Sequence, residues 1–501
     1  MQVDLEGQRL NQAGVGRDAV SSNDHCSWEG SGNWEGPNDP QNPFNWAPSK
    51  KWLVTLTACL ITFTVGVNGT AIVSATESIN KRFGISYEHS SNSYWTITSW
   101  NMGAAIIPLF ALPLMESFGI RYSYMMIYLI FVIFIIPQAV AQNFATLIVT
   151  RVITGSCAGV LENITGGIIS DIWRDGKRKS FAMALYVWSL LAGVSIGPVI
   201  GGAISHSMSW RWIFFAQIIF YGACFPLIYL AIPEVRGSVL LGQKAKRIGK
   251  LNNKISHAQS KLGKPSLAEL SRVAIIRPLR MLFTEWVVFF FMLWSAFCFG
   301  TVFLFTQSVA QTYSTNYRWS SFLTGSIQAV VVIGQLFGLL ASIYQDSLYF
   351  RSASRNTESQ FHPIPEARLY LSIPGGFIGL TAGFFWYAWT SFPSLHWILP
   401  SIGLALVGFG TFTVVSAVSN YLIDSYSKYA ASALAAVAFG ENVFAAFLPL
   451  ASQSMYTNLG FQWASSILGF IALSLSFLPV VLIFYGKSIR ERSPFMIEAS
   501  R

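Results

Sequence analysis

Between Trp52 and about Tyr485, short polar connections divide the chain into twelve long apolar stretches. A helix needs about 20 mostly apolar residues to cross the hydrocarbon core of a bilayer, and each stretch is that long. Inside lipid every backbone N–H and C=O must find a partner within the protein, which a helix supplies along its own length. The expected fold is therefore all-α and integral to the membrane, with twelve transmembrane helices. Spans are expected near 52–74, 93–115, 122–141, 144–169, 180–205, 211–232, 284–309, 321–344, 369–390, 396–420, 429–452 and 462–485. An even number of spans returns both termini to one side.

Charge indicates which side. The 501 residues are 52% hydrophobic and 11% charged, with a net charge of +10. Such basicity in a soluble chain would point to nucleic acid, but its placement argues otherwise. Of 33 Lys and Arg, Arg151 falls inside a span, only Lys81, Arg82, Arg211 and Arg318 fall on one side, and the other 28 lie opposite. That bias marks the cytoplasmic side. The expected organisation is a disordered cytoplasmic tail over 1–48, a six-helix bundle over 49–232, a basic cytoplasmic linker over 233–283, a second six-helix bundle over 284–486, and a cytoplasmic tail over 487–501. Residues 1–48 contain no apolar h-region, which leaves the first span as the expected targeting signal. Five scattered cysteines form neither a metal pattern nor a disulfide framework. Sequons at Asn68 and Asn163 lie within spans and are read as chance, because glycosylation needs an exposed loop.

In span five, Ser189, Gly193, Gly197, Gly201 and Ser205 recur every four residues, with Pro198 and Gly202 inserted. This spacing puts five small side chains on one helix face, where another backbone can approach closely. Either static packing or a hinge and sliding surface between halves fits that face, and Pro198 permits a bend.

Several segments carry a family resemblance. Gly193-Val-Ser-Ile-Gly-Pro-Val-Ile-Gly-Gly202 resembles the fifth-helix antiporter signature of major facilitator drug:proton antiporters. Arg151-Val-Ile-Thr-Gly155-Ser-Cys-Ala-Gly159 is similar to the fourth-helix signature of the same superfamily, and Ser170-Asp-Ile-Trp-Arg-Asp-Gly-Lys-Arg178 to the loop after it. Trp210-Arg-Trp-Ile-Phe-Phe-Ala-Gln217 and Pro233-Glu-Val-Arg236 resemble the start and end of its sixth helix. Asp39-Pro-Gln-Asn-Pro-Phe-Asn-Trp46 and Pro365-Glu-Ala-Arg-Leu369 look like signatures of the fungal twelve-span branch of exporters. The resemblance covers Asp39 to Arg492 and implies the major facilitator fold of two pseudo-symmetric six-helix bundles. There are departures. Where the family's loop between helices two and three carries Asp-Arg, this chain has Glu116-Ser117 ahead of Gly119 and Arg121, and the second-half counterpart has Asp346-Ser347. With Asp171 and Arg178 these residues are the candidate cytoplasmic gating positions, but neither motif supplies the acid–Arg pair of a complete charge lock.

Charges deep in spans are costly, near +2.5 to +3.5 kcal/mol at a helix centre, and usually face the bundle interior or a wet cavity. Arg151 and Glu162 are eleven residues apart, roughly three full turns, so they share a face about 16 Å apart and could serve as two stations of one cavity. Glu441 is the deepest acid of the second half. Burial disfavours the charged form of a carboxyl, which makes Glu162 and Glu441, with Arg151, the proton-coupling candidates. Glu162 is not a residue the family pattern contains. Glu77 is read as interfacial. Aromatics form 15% of the chain, among them Trp95, Trp100, Trp188, Trp294, Trp386 and Trp389; most aromatics are expected in interfacial belts, with a minority, which the sequence does not single out, lining the cavity.

The function expected is proton-coupled secondary transport of hydrophobic or amphipathic small molecules, drugs, toxins or secondary metabolites, by two halves rocking about a midplane site. The resemblance implies export. No cofactor is expected, the proton gradient being the energy source. The expected partners are the small-molecule substrate, protons and the lipid bilayer, without nucleic acid, and the protein is expected to work as a monomer. The plasma membrane is the expected location, with the vacuolar membrane as alternative. No Gly-x-x-x-x-Gly-Lys-Ser/Thr loop points to ATP. The alternative is an importer of a small nutrient or polyamine, although a cation would call for more cavity carboxylates than the two or three here. A multi-span membrane enzyme is a remote alternative: no histidine is followed four residues later by Asp, and no nucleophile motif is present.

Overall fold

The computed structural model describes residues 34, 36, 39–85, 94–174, 176–251, 267–356 and 363–500. They divide into two units, a small one from Met1–Trp46 with Gly237–Lys264 and a large one from Ala47–Arg236 with Pro265–Arg501. The expected disorder of 1–48 falls largely outside the described residues.

The large unit is a bundle of long helices: α1 Pro48–Thr70, α2 Trp95–Phe118, α3 Ile120–Ala139, α4 Phe144–Ile172, α5 Lys177–Ser207, α6 Arg211–Ala231, α7 Trp286–Tyr317 and α8 Ala329–Ser352. Span nine, α9, covers Pro365–Thr390 and holds a π-helical stretch over Gly375–Ala382; α10 is Ile398–Tyr426. The next helical run, Ala430–Ser476, has 47 residues, which as one straight helix would be about 70 Å long, more than twice the hydrocarbon thickness. It is broken at Gly460 (φ 80°, ψ 160°), a backbone conformation open essentially to glycine. The Tyr456 hydroxyl lies 3.0 Å from Ser465 Oγ, where nine residues of straight helix would separate them by about 13 Å. The run therefore folds back on itself as α11 (430–459) and α12 (461–476), the latter continued by Leu478–Arg490. All twelve predicted spans are present.

Several helices outrun their predicted ends. α7, α8 and α10 end at Tyr317, Ser352 and Tyr426 rather than at 309, 344 and 420. Their last turns are polar yet buried against neighbours, as at Thr312, Gln345, Asp346 and Ser425, so hydropathy stops where the helix does not.

The two halves repeat one packing scheme. α1 packs on α5 and α2 on α4; six helices later α7 packs on α11 and α8 on α10. The halves meet through α2 on α11 and α5 on α8, pairs that exchange under the same shift of six. α1 and α7 are the most enclosed, with 78% and 83% of their most apolar windows buried, whereas α3 and α6 have 33% and present their flanks outward.

In the small unit the Asp39-Pro-Gln-Asn-Pro-Phe-Asn-Trp46 segment is a built turn. Asp39 Oδ1 accepts from the Gln41 N–H at 2.8 Å and Asn42 Oδ1 from the Phe44 N–H at 3.1 Å. Asp39 Oδ2 then pairs with Lys244 at 3.1 Å on the helix Gly237–Leu251, with both side chains largely buried.

Candidate transport site

The interior of the first half is organised around Arg151, which is 0% exposed. Its guanidinium donates to the Asn68 and Gly69 carbonyls at 2.7 and 2.5 Å and to the Thr96 carbonyl at 2.9 Å. These oxygens lie at the end of α1 and the beginning of α2. A helix C-terminus leaves carbonyls unpaired and carries the negative end of its dipole, so a planar five-donor cation suits them. α1 changes there into a 3-10 turn, Ala71–Ala75. The spaced glycines after Arg151 make the approach possible: a Cβ on Gly155 would run into the Trp100 backbone of α2, and one on Gly159 would sit 2.6 Å from the Ala104 carbonyl. Asn68 extends the network. Its amide donates to Gln217 Oε1 at 2.8 Å and its Oδ1 accepts from Trp100 Nε1 at 3.1 Å. Asn68 is therefore a buried structural polar group, consistent with reading its sequon as chance. Neither Asn68 nor Gln217 was singled out as a site residue from the sequence, although an amide deep in an apolar span is a usable signal.

Glu162 and Glu441 are brought together across the two halves. Glu162, on α4, is buried, and its Oε1 has no hydrogen-bond partner. Glu441, on α11, accepts from the Ser295 hydroxyl of α7. Each acid lies within the electrostatic reach of Tyr186, and Glu162 feels the charge of Glu441. Arg151 does not join them. The guanidinium is enclosed between α1 and α2, held by the Asn68, Gly69 and Thr96 carbonyls. Trp100, from the first half, faces Phe303, from the second, with ring centroids 6.4 Å apart. Trp100 and Trp294 are 2% and 0% exposed, so these two are interior and not members of an interfacial belt, whereas Trp95, Trp386 and Trp389 are exposed.

The small-residue stripe of α5 lies against its own half. A Cβ on Gly193 would strike the Phe63 carbonyl, on Gly197 the Thr70 side chain and on Gly201 the Ala71 carbonyl, all on or just after α1. Of the two readings, static packing fits this face, and the contact with the other half is made by residues beside it. A Cβ on Gly202 would meet Ser321 and Phe322 of the second half at 3.4 and 3.7 Å, and one on Gly325 would strike the Pro198 carbonyl. Pro198 has no N–H, which frees the Val194 carbonyl one turn earlier. Thr70 Oγ1 donates to that carbonyl at 2.7 Å.

At the end rich in Lys and Arg, Arg368 of α9 is 9% exposed. It pairs with Asp424 at 2.8 Å and Asp346 at 3.1 Å, donates to Ser180 Oγ of α5 at 3.1 Å, and lies 3.5 Å over the Tyr349 ring. The second-half charge lock that the Asp346-Ser347 departure argued against is thus built, with its arginine drawn from the Pro365-Glu-Ala-Arg-Leu369 segment. Arg368 and Asp424 were not singled out as site residues. In the first half, Gly119 (φ 98°) separates α2 from α3, and Glu234 caps α3 through the Ile120 and Arg121 N–H groups at 3.2 and 3.1 Å. Asp171 pairs with Arg236 at 3.3 Å, and Arg178 is exposed. The Glu116 side chain lies outside the described residues.

The family model of the Major Facilitator Superfamily matches residues 58–440. The chain belongs to the Major Facilitator Superfamily. It is 35% identical over 472 residues to the MFS transporter cpaT of Aspergillus oryzae, covering 93% of this chain and 92% of that one. It is 34% identical over 468 residues to the MFS-type efflux pump MFS2 of Trichophyton rubrum, covering 92% and 77%. Among solved structures, the partially occluded inward-open xylose transporter XylE from E. coli aligns with a TM-score of 0.63 at 16% identity, covering 87% of this chain and 98% of that one. That likeness shows the fold. The chain is a transporter of the Major Facilitator Superfamily, not an enzyme, and within that fold the repeated helix pairing described above is the relation between its two six-helix bundles.

Proposed function

We propose that this chain is a proton-coupled secondary transporter that exports hydrophobic or amphipathic small molecules by alternating access. The single observation that carries this reading is the placement of Glu162 and Glu441. They are two acids from opposite halves, Glu162 buried with an unpartnered carboxylate oxygen and Glu441 half-buried against the Ser295 hydroxyl, with no cation partner among the described residues. A carboxyl in such a setting can hold a proton, and the energy of the pair depends on how the halves sit. Proton entry would discharge one acid and favour one conformation. The Arg368 cluster, drawing on α5 from the first half and α8, α9 and α10 from the second, is the gate that closes the Lys- and Arg-rich end. That end is the cytoplasmic one in this reading, the membrane is the plasma membrane, and the working unit is a monomer with bundles over 49–232 and 284–486 joined by the linker 233–283. Relatives named as efflux pumps support the outward direction.

Glu162→Gln and Glu441→Gln keep size and hydrogen bonding while removing titration. At least one is expected to lose proton-driven efflux from proteoliposomes while retaining substrate exchange across equal concentrations. Unchanged pH dependence in both would return these acids to structural roles.

A further inference from the structure

At the end of the bundle opposite Arg368, a cavity of about 210 Å³ lies between the halves. The first half contributes Glu77 and Asn80, from the helix Thr76–Phe83, and Pro198; the second contributes Thr306, Thr324 and Gln453. Glu77 is exposed at the rim, whereas Asn80 and Thr324 are 6% and 4% exposed. Neither the gating residues nor the Glu162–Glu441 pair belongs to this wall.

The wall offers acceptors. Ser74 Oγ is committed to the Pro198 carbonyl at 2.7 Å, and the Tyr94 hydroxyl to Gln453 Oε1 at 3.2 Å. Asn80 Oδ1 is buried with no hydrogen-bond partner, an arrangement that costs free energy until a donor reaches it. Glu77 is the one charged residue of the lining; Lys81 and Arg82 lie in the last turn of the same helix, outside the wall. An unmade acceptor in the same wall as a carboxylate is complementary to a charged N–H donor. The volume is below the roughly 300–1,000 Å³ of pockets that enclose a whole drug-sized molecule, so the cavity fits a head group.

We propose that this cavity is a second ligand site, a release-side station that receives the protonated primary or secondary amine end of a small organic molecule. Glu77 is its counter-charge and Asn80 Oδ1 its buried acceptor. Which end releases cargo rests on the export reading; the amine preference does not.

The test is equilibrium fluorescence titration of the full chain in nanodiscs, without a gradient. The probes are dansylcadaverine and its N-acetyl derivative, which shares the dansyl group and lacks the charged amine. The wild type is expected to bind the amine roughly tenfold more tightly, as a charge-assisted hydrogen bond implies. Glu77→Gln is expected to bring the amine to the level of the acetyl probe, and Ala310→Phe, which fills the cavity, to abolish the amine preference. Equal wild-type affinity for both probes, or an amine preference that survives Glu77→Gln or Ala310→Phe in monodisperse protein, overturns the proposal. Glu162→Gln should retain Glu77-dependent binding even where it loses transport. Failure of the station and failure of proton-coupled export are therefore separate results.

Discussion

Two buried arginines in this bundle have different electrostatic partners. Arg368 is balanced by two carboxylates and a tyrosine face, whereas the guanidinium of Arg151 donates to three carbonyl oxygens on two helices. A lysine could not reproduce that fork, because an ammonium is a point charge on a flexible stem. Arg151→Lys is expected to forfeit about two of the three bonds, at about 1.5–3 kcal/mol each for a charged donor. The thermal midpoint of the purified protein should therefore fall by several degrees; an unchanged midpoint would rule out the clamp. Arg151 was legible because a cation within an apolar span is rare. Its use was not, since the carbonyls it holds belong to residues more than fifty positions away. Asp346 was legible from its motif, yet its partner Arg368 became visible only once α9 was folded against α8.

Helix periodicity identified the face of α5 that carries Gly193, Gly197 and Gly201, but not the neighbour that face meets. The neighbour is α1 and the turn after it, and the approach leaves no room for a Cβ at Gly197 beside Thr70. Gly197→Leu is therefore expected to stop the first bundle from packing, beyond the roughly 1–3 kcal/mol of ordinary overpacking, and to abolish accumulation of folded protein. Gly202 lies at the seam between halves, where an added Cβ would make ordinary van der Waals contact with the Ser321 carbonyl at 3.4 Å. Gly202→Ala should be tolerated, while Gly202→Leu should accumulate normally and transport poorly. Fluorescence-detected size exclusion together with proteoliposome transport separates these outcomes. Normal transport by Gly197→Leu would show that the close contact yields.

For the whole molecule, the twelve spans were legible because each is an independent apolar segment of bilayer length. The juxtaposition of Glu162 and Glu441 was not, because it depends on α2 meeting α11 and α5 meeting α8. At the second of those contacts Gln335 Nε2 donates to Ser195 Oγ at 3.1 Å, both residues being buried. Replacing both with cysteine and oxidising should fasten the halves at the seam and arrest transport until reductant is added. Persistent transport in the cross-linked protein would mean that α5 and α8 do not move apart. The reversal at Gly460 bears on biogenesis. With a single residue between α11 and α12, neither arm can partition into the bilayer alone. The two must leave the translocon as one hairpin, so a charge introduced into either arm burdens the insertion of both. The connection between them is accordingly the least hospitable place in the second half for an inserted tag.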